Sequence, residues 1–242
     1  MAAGWRPPFS PYDRISQVPL LEVQNMLCKI FERRNKPGSF RVDNGEPFGT
    51  PCNDTPPPLA LWLIGYDVDV IWNKPRCPQM NGVVEHLQDT SSRWAEVNTC
   101  PSCEVLQHRL DEQARVQRSV FPVTRLKNQT RLQAFPLLEK SERTWNPADF
   151  DPQRVYDFLA KKIFPRKISI SGQIRHFGQR IYVHTALKGL VVHIKLDIKT
   201  MEWVIYNDYK VVKKYSALPA LGLQQIQNLS VYQRTRVETI DR

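Results

Sequence analysis

The first regular pattern of apolar and polar positions begins at Leu20 and predicts a helix. Apolar side chains recur there at intervals of three and four residues as far as Phe31, with charged residues between them. The helix is expected to end at residues 35–38, Asn-Lys-Pro-Gly, because proline and glycine interrupt helical hydrogen bonding. Residues 1–19 hold four prolines among aromatic residues, which predicts an irregular arm.

Short strands and helices are predicted to alternate after this helix. Strands are expected over residues 39–42 and 66–72, and helices over residues 59–64 and about 104–120. A further helix carries Glu85, which follows a turn that begins at Pro78. The alternation favours an α/β layer structure over residues 20–120.

The pattern changes beyond residue 120. Residues 121–165 are predicted to form a connector and a helix that begins at Asp151 and Pro152. Glycines and an Asn-Asp pair then separate five short runs of β character, which predict an all-β, SH3-like small barrel over residues 166–218. These runs are residues 167–174, 180–184, 190–196, 202–206 and 210–214. Residues 219–242 are expected to be a polar tail.

Charge is unevenly distributed along the 242 residues, whose net charge is +10. Residues 151–242 contain 16 Lys/Arg and 7 Asp/Glu, a net charge of +9. A basic third beside a nearly neutral remainder indicates contact with a polyanion, most often nucleic acid. A charge excess that only increases solubility is the alternative. No run reaches the roughly 18 apolar residues of a membrane span, so we expect a cytoplasmic protein.

Residues of three segments, all basic except one asparagine, are expected to contact the nucleic acid through its phosphates. The residues expected there are Lys74, Arg76 and Asn81 around the loop before the Glu85 helix, Lys161, Lys162, Arg166 and Lys167 at the start of the barrel, and Lys210, Lys213 and Lys214 at its end. Four aromatic residues of the barrel region are expected in its core or at its edge, with base stacking as the alternative: Tyr182, Trp203, Tyr206 and Tyr209.

The five cysteines do not form the pattern of a disulfide framework. Cys100 and Cys103 have the spacing of a zinc knuckle, but no second pair of ligands completes a four-ligand site. A helix that begins around Pro101 and Ser102 is the favoured interpretation of this segment.

Two acidic residues stand in unusual surroundings. Asp43 ends a short strand at an Asn-Gly turn signal, and Glu85 lies at the start of a helix. Such carboxylates can converge on Mg²⁺ or Mn²⁺, because hard oxygen ligands suit these cations. Taken separately, Asp43 could be a plain turn residue and Glu85 a solvated helical residue.

The segments Val42-Asp43-Asn44-Gly45-Glu46-Pro47-Phe48-Gly49 and Pro78-Gln79-Met80-Asn81-Gly82-Val83-Val84-Glu85 resemble those of DDE transposases and integrases with a retroviral-integrase-like catalytic core. The resemblance implies that Asp43 and Glu85 are the second and third acids of a metal-binding triad. It also implies an RNase H-like core over residues 20–120, followed by a DNA-binding barrel. Double-stranded DNA, as mobile-element ends and target, is the implied partner, and the intact family forms homo-oligomers.

The first acid and the opening strands of that family are not found upstream of Asp43. Asp13 follows Pro11 and Tyr12 rather than an apolar strand, so a solvated loop acid is favoured there. We therefore expect an N-terminally truncated core, in which the strand before Asp43 loses its sheet partner and exposes an edge.

The chemistry expected from the resemblance is DNA strand cleavage and transfer by two-metal phosphoryl transfer. With two acids instead of three, the metal is expected to be held weakly and the activity to be impaired. A non-catalytic DNA-binding or regulatory remnant of a transposase and a protein-interaction module are the alternatives. The expected location is the cytoplasm, in association with the nucleoid.

Overall fold

The computed structural model of the chain describes residues 20–49, 55–74, 77, 79, 82–227 and 229. These residues form two compact units. The first unit comprises the described residues within 1–37 and 73–145, and the second those within 38–72 and 146–242. The segment 38–72 therefore belongs to the same unit as the C-terminal part of the chain. The domain limits expected from the sequence stay a prediction.

Helices and strands alternate up to residue 95, and strands dominate after residue 160. The helices are α1 (Leu20–Arg34), α2 (Pro58–Gly65), α3 (Gly82–Ala95), α4 (Cys103–Ser119), α5 (Arg131–Ala134), α6 (Pro152–Ala160), α7 (Leu218–Leu221) and α8 (Leu223–Gln227). The strands are β1 (Ser39–Val42), β2 (Asp69–Trp72), β3 (Pro122–Val123), β4 (Gln129–Thr130), β5 (Phe164–Lys167), β6 (Gln173–His176), β7 (Gln179–Tyr182), β8 (Val191–Asp197), β9 (Glu202–Asn207) and β10 (Lys210–Ser216). The predicted helices and the first predicted strand are confirmed, and β2 is shorter than expected.

Helix α1 opens the first unit and buries one side. Leu27 and Phe31 are its buried apolar residues. The Phe31 ring packs edge-on against the Trp145 ring, with 5.1 Å between the ring centroids. The amide of Ser141 donates a 2.8 Å hydrogen bond to the carbonyl oxygen of Arg34. Residues 141–145 are thereby held against the C-terminal part of α1.

Helix α4 begins at the segment that also has zinc-knuckle spacing. Ser102 is its N-cap, and the Ser102 hydroxyl accepts a 3.3 Å hydrogen bond from the amide of Val105. A serine in this position satisfies one of the free amides of the first helical turn. The predicted helix start at Ser102 is therefore confirmed.

In the second unit, α2 connects two parallel strands. All eight of its residues are buried, as expected for a continuous apolar run. Strands β1 and β2 pair in parallel, with Val42 opposite Trp72. A parallel pair needs a crossover connection, which α2 supplies. The expectation that the strand before Asp43 has no sheet partner is wrong. Among the described residues this sheet has two strands, so each keeps one unpaired edge.

Helix α6 begins at the predicted Asp-Pro pair. The Asp151 carboxylate accepts a 2.9 Å hydrogen bond from the amide of Gln153, and Pro152 occupies the first helical turn. Val155 and Leu159 are fully buried. They belong to the apolar core of the second unit, together with Leu61 of α2 and residues of the sheet that include Phe164, Val192, Ile194, Leu196, Trp203 and Ile205.

An antiparallel sheet in the order β10-β9-β8-β5 forms the main layer of the second unit, and β6 pairs with β7 as a separate hairpin. Along β8, Val192, Ile194 and Leu196 are buried and the residues between them are exposed. Strand β8 therefore packs one face on the core and turns the other outwards, as strands of antiparallel sheets commonly do, whereas on β9 Val204 of that other face is also buried. We call this second surface the outer face.

The predicted strand over residues 167–174 is wrong. Strand β5 ends at Lys167 and β6 begins at Gln173, with a turn between them. Gly172 in this turn has φ +73°, and a Cβ atom there would lie 2.7 Å from the Thr185 amide nitrogen. The alternation of side chains along the sequence does not reveal such a turn. The RNase H-like core and the SH3-like barrel stay predictions.

The predicted tail begins with folded residues. Leu221 of α7 and Ile226 of α8 are fully buried against the core of the second unit. Residues 230–242 lie outside the described residues. Within the part of the chain that the structure describes, no helix has the length and apolar character needed to cross a membrane.

Candidate carboxylate site and nucleic-acid interface

Asp43 lies in a compact turn immediately after β1. Its side chain is exposed, and Oδ1 accepts a 3.0 Å hydrogen bond from the amide of Gly45. The amide of Gly49 donates a 2.7 Å hydrogen bond to the carbonyl oxygen of Gly45. A Cβ atom on Gly49 would lie 2.4 Å from the backbone of Asn44, so this close turn requires glycine. The segment that carries the family resemblance thus folds into a defined turn, with the carboxylate of Asp43 at its start.

Glu85 lies in the first turn of α3 and is exposed. The neighbouring Asp89 forms a 3.2 Å ion pair with Arg93, one turn further along the helix, and both side chains are exposed. Asp89 is therefore an ordinary surface acid. Glu85 belongs to the first unit and Asp43 to the second, so their predicted convergence on one metal ion stays a prediction.

Three residues singled out in the sequence cannot be placed. Arg76, Asn81 and Asp13 lie outside the described residues. Lys74 is described and its side chain is exposed.

The residues that could act as metal ligands decide whether the structure can support two-metal chemistry. Within residues 20–229, as far as they are described, no group of three His, Cys, Asp or Glu residues could hold a metal ion. Two ions about 4 Å apart need bridging and flanking carboxylates, which two acids do not supply. A single Mg²⁺ ion needs only one or two protein carboxylates, with water completing its shell. The described donors therefore do not fit a metal pair.

Two of the lysines expected at nucleic acid are engaged with aromatic rings of their own unit. The Lys162 ammonium lies 4.7 Å from the centroid of the Phe158 ring and 5.9 Å from that of Trp72. Lys213 donates a 2.7 Å hydrogen bond to the carbonyl oxygen of Tyr182 and lies 6.0 Å from the centroid of that ring. Both side chains are half-buried, which favours a structural contribution through cation–π contacts.

Of the remaining basic residues predicted at nucleic acid, one is engaged in internal hydrogen bonds and four are exposed. Arg166 donates hydrogen bonds of 3.0 Å to the carbonyl oxygen of Arg175 and 2.7 Å to that of Pro165. The side chains of four others are exposed: Lys161, Lys167, Lys210 and Lys214. These four side chains could contact a phosphate backbone without breaking any internal contact that the structure defines.

The outer face carries a further lysine and a histidine that the sequence prediction missed. In the register of the sheet, Val204 lies between Lys195 on β8 and Lys214 on β10. His193 and Tyr206 form the next row, and Lys195 and His193 are both exposed. The signal was present in the sequence, because Lys195 and His193 occupy alternate positions of the apolar run 191–196.

Acidic residues of the outer face are confined to one end. Asp197 and Glu202 pair in register beside the turn that joins β8 to β9. The lysines therefore occupy the middle of the outer face, together with Lys167 near the end of β5.

Two arginines face each other across the β6–β7 hairpin. Arg175 and Arg180 are opposite in register, and both are exposed. Like charges placed directly opposite on neighbouring strands repel, and an anion bound between them would relieve that repulsion. The sequence prediction did not include this pair, because the hairpin register was not assigned.

The four aromatic residues of this region occupy different environments. Trp203 is 1% exposed and lies in the core, so the core prediction is confirmed for it. Tyr206 is half-buried and Tyr182 is 47% exposed. Tyr209 is fully exposed at the turn between β9 and β10, so it does not lie in the core, and its place at a barrel edge stays a prediction.

Comparison with known proteins does not identify a family for the chain. No protein-family model matches the chain, and no curated protein matches it either. The likeness to DDE transposases and integrases therefore depends on the two segments around Asp43 and Glu85.

Proposed function

We propose that the chain binds double-stranded DNA through the outer face of its second unit. The observation that carries this proposal is the row in which Lys195 and Lys214 flank Val204, with Lys167 on the same face. Ammonium groups spaced across a sheet contact phosphates by charge and carry little sequence information. The net charge of +9 over residues 151–242 and the opposed arginines of the β6–β7 hairpin support the same partner. The location that follows is the cytoplasm, in association with the nucleoid.

The salt dependence of binding tests this proposal. We would measure the affinity of the full chain for a fluorescent duplex by anisotropy at several salt concentrations. Lys195→Ala and Lys214→Ala are each expected to weaken binding and to reduce the slope of log K against log salt by about 0.9. Lys199→Ala is the matched control, because Lys199 is exposed in the turn at the acidic end of the sheet. Equal effects of all three substitutions would contradict the assignment of the outer face.

A second function, strand cleavage and transfer of the DDE transposase and integrase type, is supported by the two carboxylates. Asp43 is exposed directly after a strand of the parallel pair, and Glu85 is exposed in a first helical turn. If they share one Mg²⁺ or Mn²⁺ ion, water completes the shell and the ion is held weakly. Asp43 and Glu85 would supply the anionic oxygens that hold such an ion, and the ion would supply Lewis-acid polarisation of a phosphoryl oxygen.

We expect the chain to cleave DNA poorly or not at all, because the described residues offer no third acid that would complete a metal pair. The measurement is nicking of an end-labelled duplex with Mg²⁺ and with Mn²⁺, for the natural chain and for Glu85→Gln. Efficient metal-dependent nicking that Glu85→Gln abolishes would contradict this expectation and establish the catalytic function. Absence of any DNA binding at low salt would instead favour the remaining alternative, a protein-interaction module.

A further inference from the structure

The turn between β9 and β10 places a tyrosine where the backbone favours glycine. Asn207 pairs with Lys210, so the connection consists of Asp208 and Tyr209 alone. Both have positive φ values, 45° for Asp208 and 68° for Tyr209. Two-residue hairpin turns with positive φ at both positions favour Asn-Gly or Asp-Gly sequences. Tyrosine at the second position is therefore a departure from what the turn itself requires.

Burial does not explain the tyrosine. The Tyr209 side chain is 100% exposed, so the fold gains no apolar contact area from its ring. Strained backbone conformations cluster at functional sites, so an exposed residue held in one is a candidate for a functional side chain. A large aromatic ring at the tip of a hairpin is in a position to contact a partner.

Lysines lie at or near the end of the sheet that carries Tyr209. Lys210 follows Tyr209 directly, and the sheet register places the tip level with Val191, which pairs with Lys167 on β5. Lys188 is exposed in the loop before β8. Lys167 and Lys188 also line an open surface depression of about 410 Å³ between the β5–β6 turn and that loop. Asp208 is the acidic residue of the turn, so lysines outnumber acids at this end of the sheet.

We propose that Tyr209 stacks on an unpaired base of DNA, while Lys167, Lys188 and Lys210 hold the adjacent phosphates. This inference rests on the proposed DNA contact and deepens it. A protruding ring can stack only on a base whose face is free. A single-stranded extension offers such faces along its length, whereas an intact duplex offers only the outer faces of its two terminal base pairs. Stacking on an aromatic ring tolerates any base, because each base has a π-face, and the lysines supply the charge that a polyanion requires.

The test compares two DNA molecules with the full chain. One is a blunt duplex, and the other is the same duplex with a single-stranded extension of about ten nucleotides that contains 2-aminopurine. Tyr209→Leu is expected to weaken binding of the extended DNA roughly five- to a hundredfold and to abolish the quenching of 2-aminopurine. Tyr209→Phe should retain both. Tyr182→Leu is the matched control, because Tyr182 is a half-exposed tyrosine of the same unit.

A glycine variant separates binding from folding. Tyr209→Gly removes the ring and relieves the positive φ, so we expect a higher urea midpoint together with weaker binding of the extended DNA. A lower midpoint would show that the ring stabilises the fold, which would overturn the inference.

The other outcomes are equally decisive. Equal losses on blunt and extended DNA, or no loss on either, would overturn the role of Tyr209 and leave the proposed DNA contact standing. Failure of the natural chain to bind either DNA at low salt would overturn both. Binding to phosphatidylserine vesicles that depends on Tyr209, with DNA binding unaffected, would replace the base by a membrane surface.

Discussion

A buried histidine in the second unit makes the stability of the protein sensitive to acid. His176 is 1% exposed, and its Nδ1 atom lies 2.7 Å from the Tyr215 hydroxyl. Its Nε2 atom is buried and has no hydrogen-bond partner among the described residues. Burial disfavours the charged ring, and Arg166 repels it, so the pKa of His176 is lowered to about 3.

The magnitude follows from the two protonation states. An unfolded histidine binds a proton near pH 6.5, whereas folded His176 stays neutral until about pH 3. Between these two pH values the unfolded state binds more protons than the folded state. The contribution of neutral, buried His176 to the free energy of unfolding is therefore fully present above pH 6.5 and is lost as the pH falls from 6.5 towards 3. The loss is about 1.4 kcal/mol per pH unit, hence about 2 kcal/mol between pH 6.5 and pH 5.

Urea unfolding followed by tryptophan fluorescence at pH 7 and pH 5 measures this effect. The Trp203 ring lies 4.5 Å from the His176 ring and reports on the same region. The natural chain should lose about 2 kcal/mol of its free energy of unfolding between pH 7 and pH 5 through His176, and His176→Phe should abolish this part of the loss. Tyr215→Phe removes the hydrogen bond but keeps the imidazole buried, so it should lower stability by about 1 kcal/mol and retain the pH dependence. If His176→Phe loses as much free energy of unfolding between pH 7 and pH 5 as the natural chain, the reasoning is refuted.

Two further predictions concern the packing of the second unit and its helix start. Gly65→Ala should lower the free energy of unfolding by about 1–3 kcal/mol, because the new Cβ atom would lie 2.3 Å from the Phe150 ring. Gly82→Ala is its control, since a Cβ atom there meets nothing within 4 Å, and an equal loss in both variants would contradict the packing argument. Asp151→Ala should lower the free energy of unfolding by about 1 kcal/mol, because it removes the N-cap hydrogen bond from the amide of Gln153. Urea unfolding would detect this loss. Asp151→Asn should retain most of the stability, because asparagine is also a good N-cap residue.

Local features of the fold could be predicted from the sequence where the signal and its cause lie within a few residues. The apolar run at residues 58–65 predicts a buried helix, and α2 is fully buried. The Asp-Pro pair at 151–152 predicts the start of α6. Gly172 is a turn signal in the sequence, but the end of β5 at Lys167 could not be predicted, because Ile168 and Ile170 continue the apolar pattern and Gly172 is far from the Thr185 backbone in sequence. A local sequence pattern does not reveal which strands pair when they are distant in sequence.

The candidate interface was only partly predictable for a related reason. Sequence reveals charge but not what a charge touches once the chain folds. Lys162 is four residues after Phe158 on or next to α6, and that helical spacing could have indicated their contact. Lys213 and Tyr182 are 31 residues apart, and nothing in the local pattern joins them. Lys195 was overlooked because it lies within an apolar run rather than a basic cluster.

The division of the chain makes the two proposed functions separable by experiment. The outer face and Tyr209 lie entirely in the second unit, whereas Glu85 lies in the first. Substitution of Lys195 or Lys214 should therefore change DNA affinity whether or not a metal ion binds. Glu85→Gln should leave DNA affinity in the absence of metal unchanged and alter only the response to Mg²⁺ or Mn²⁺. A loss of metal-free DNA affinity in Glu85→Gln would contradict this separation, because removing a negative charge from an exposed helix should not weaken the attraction of an anion.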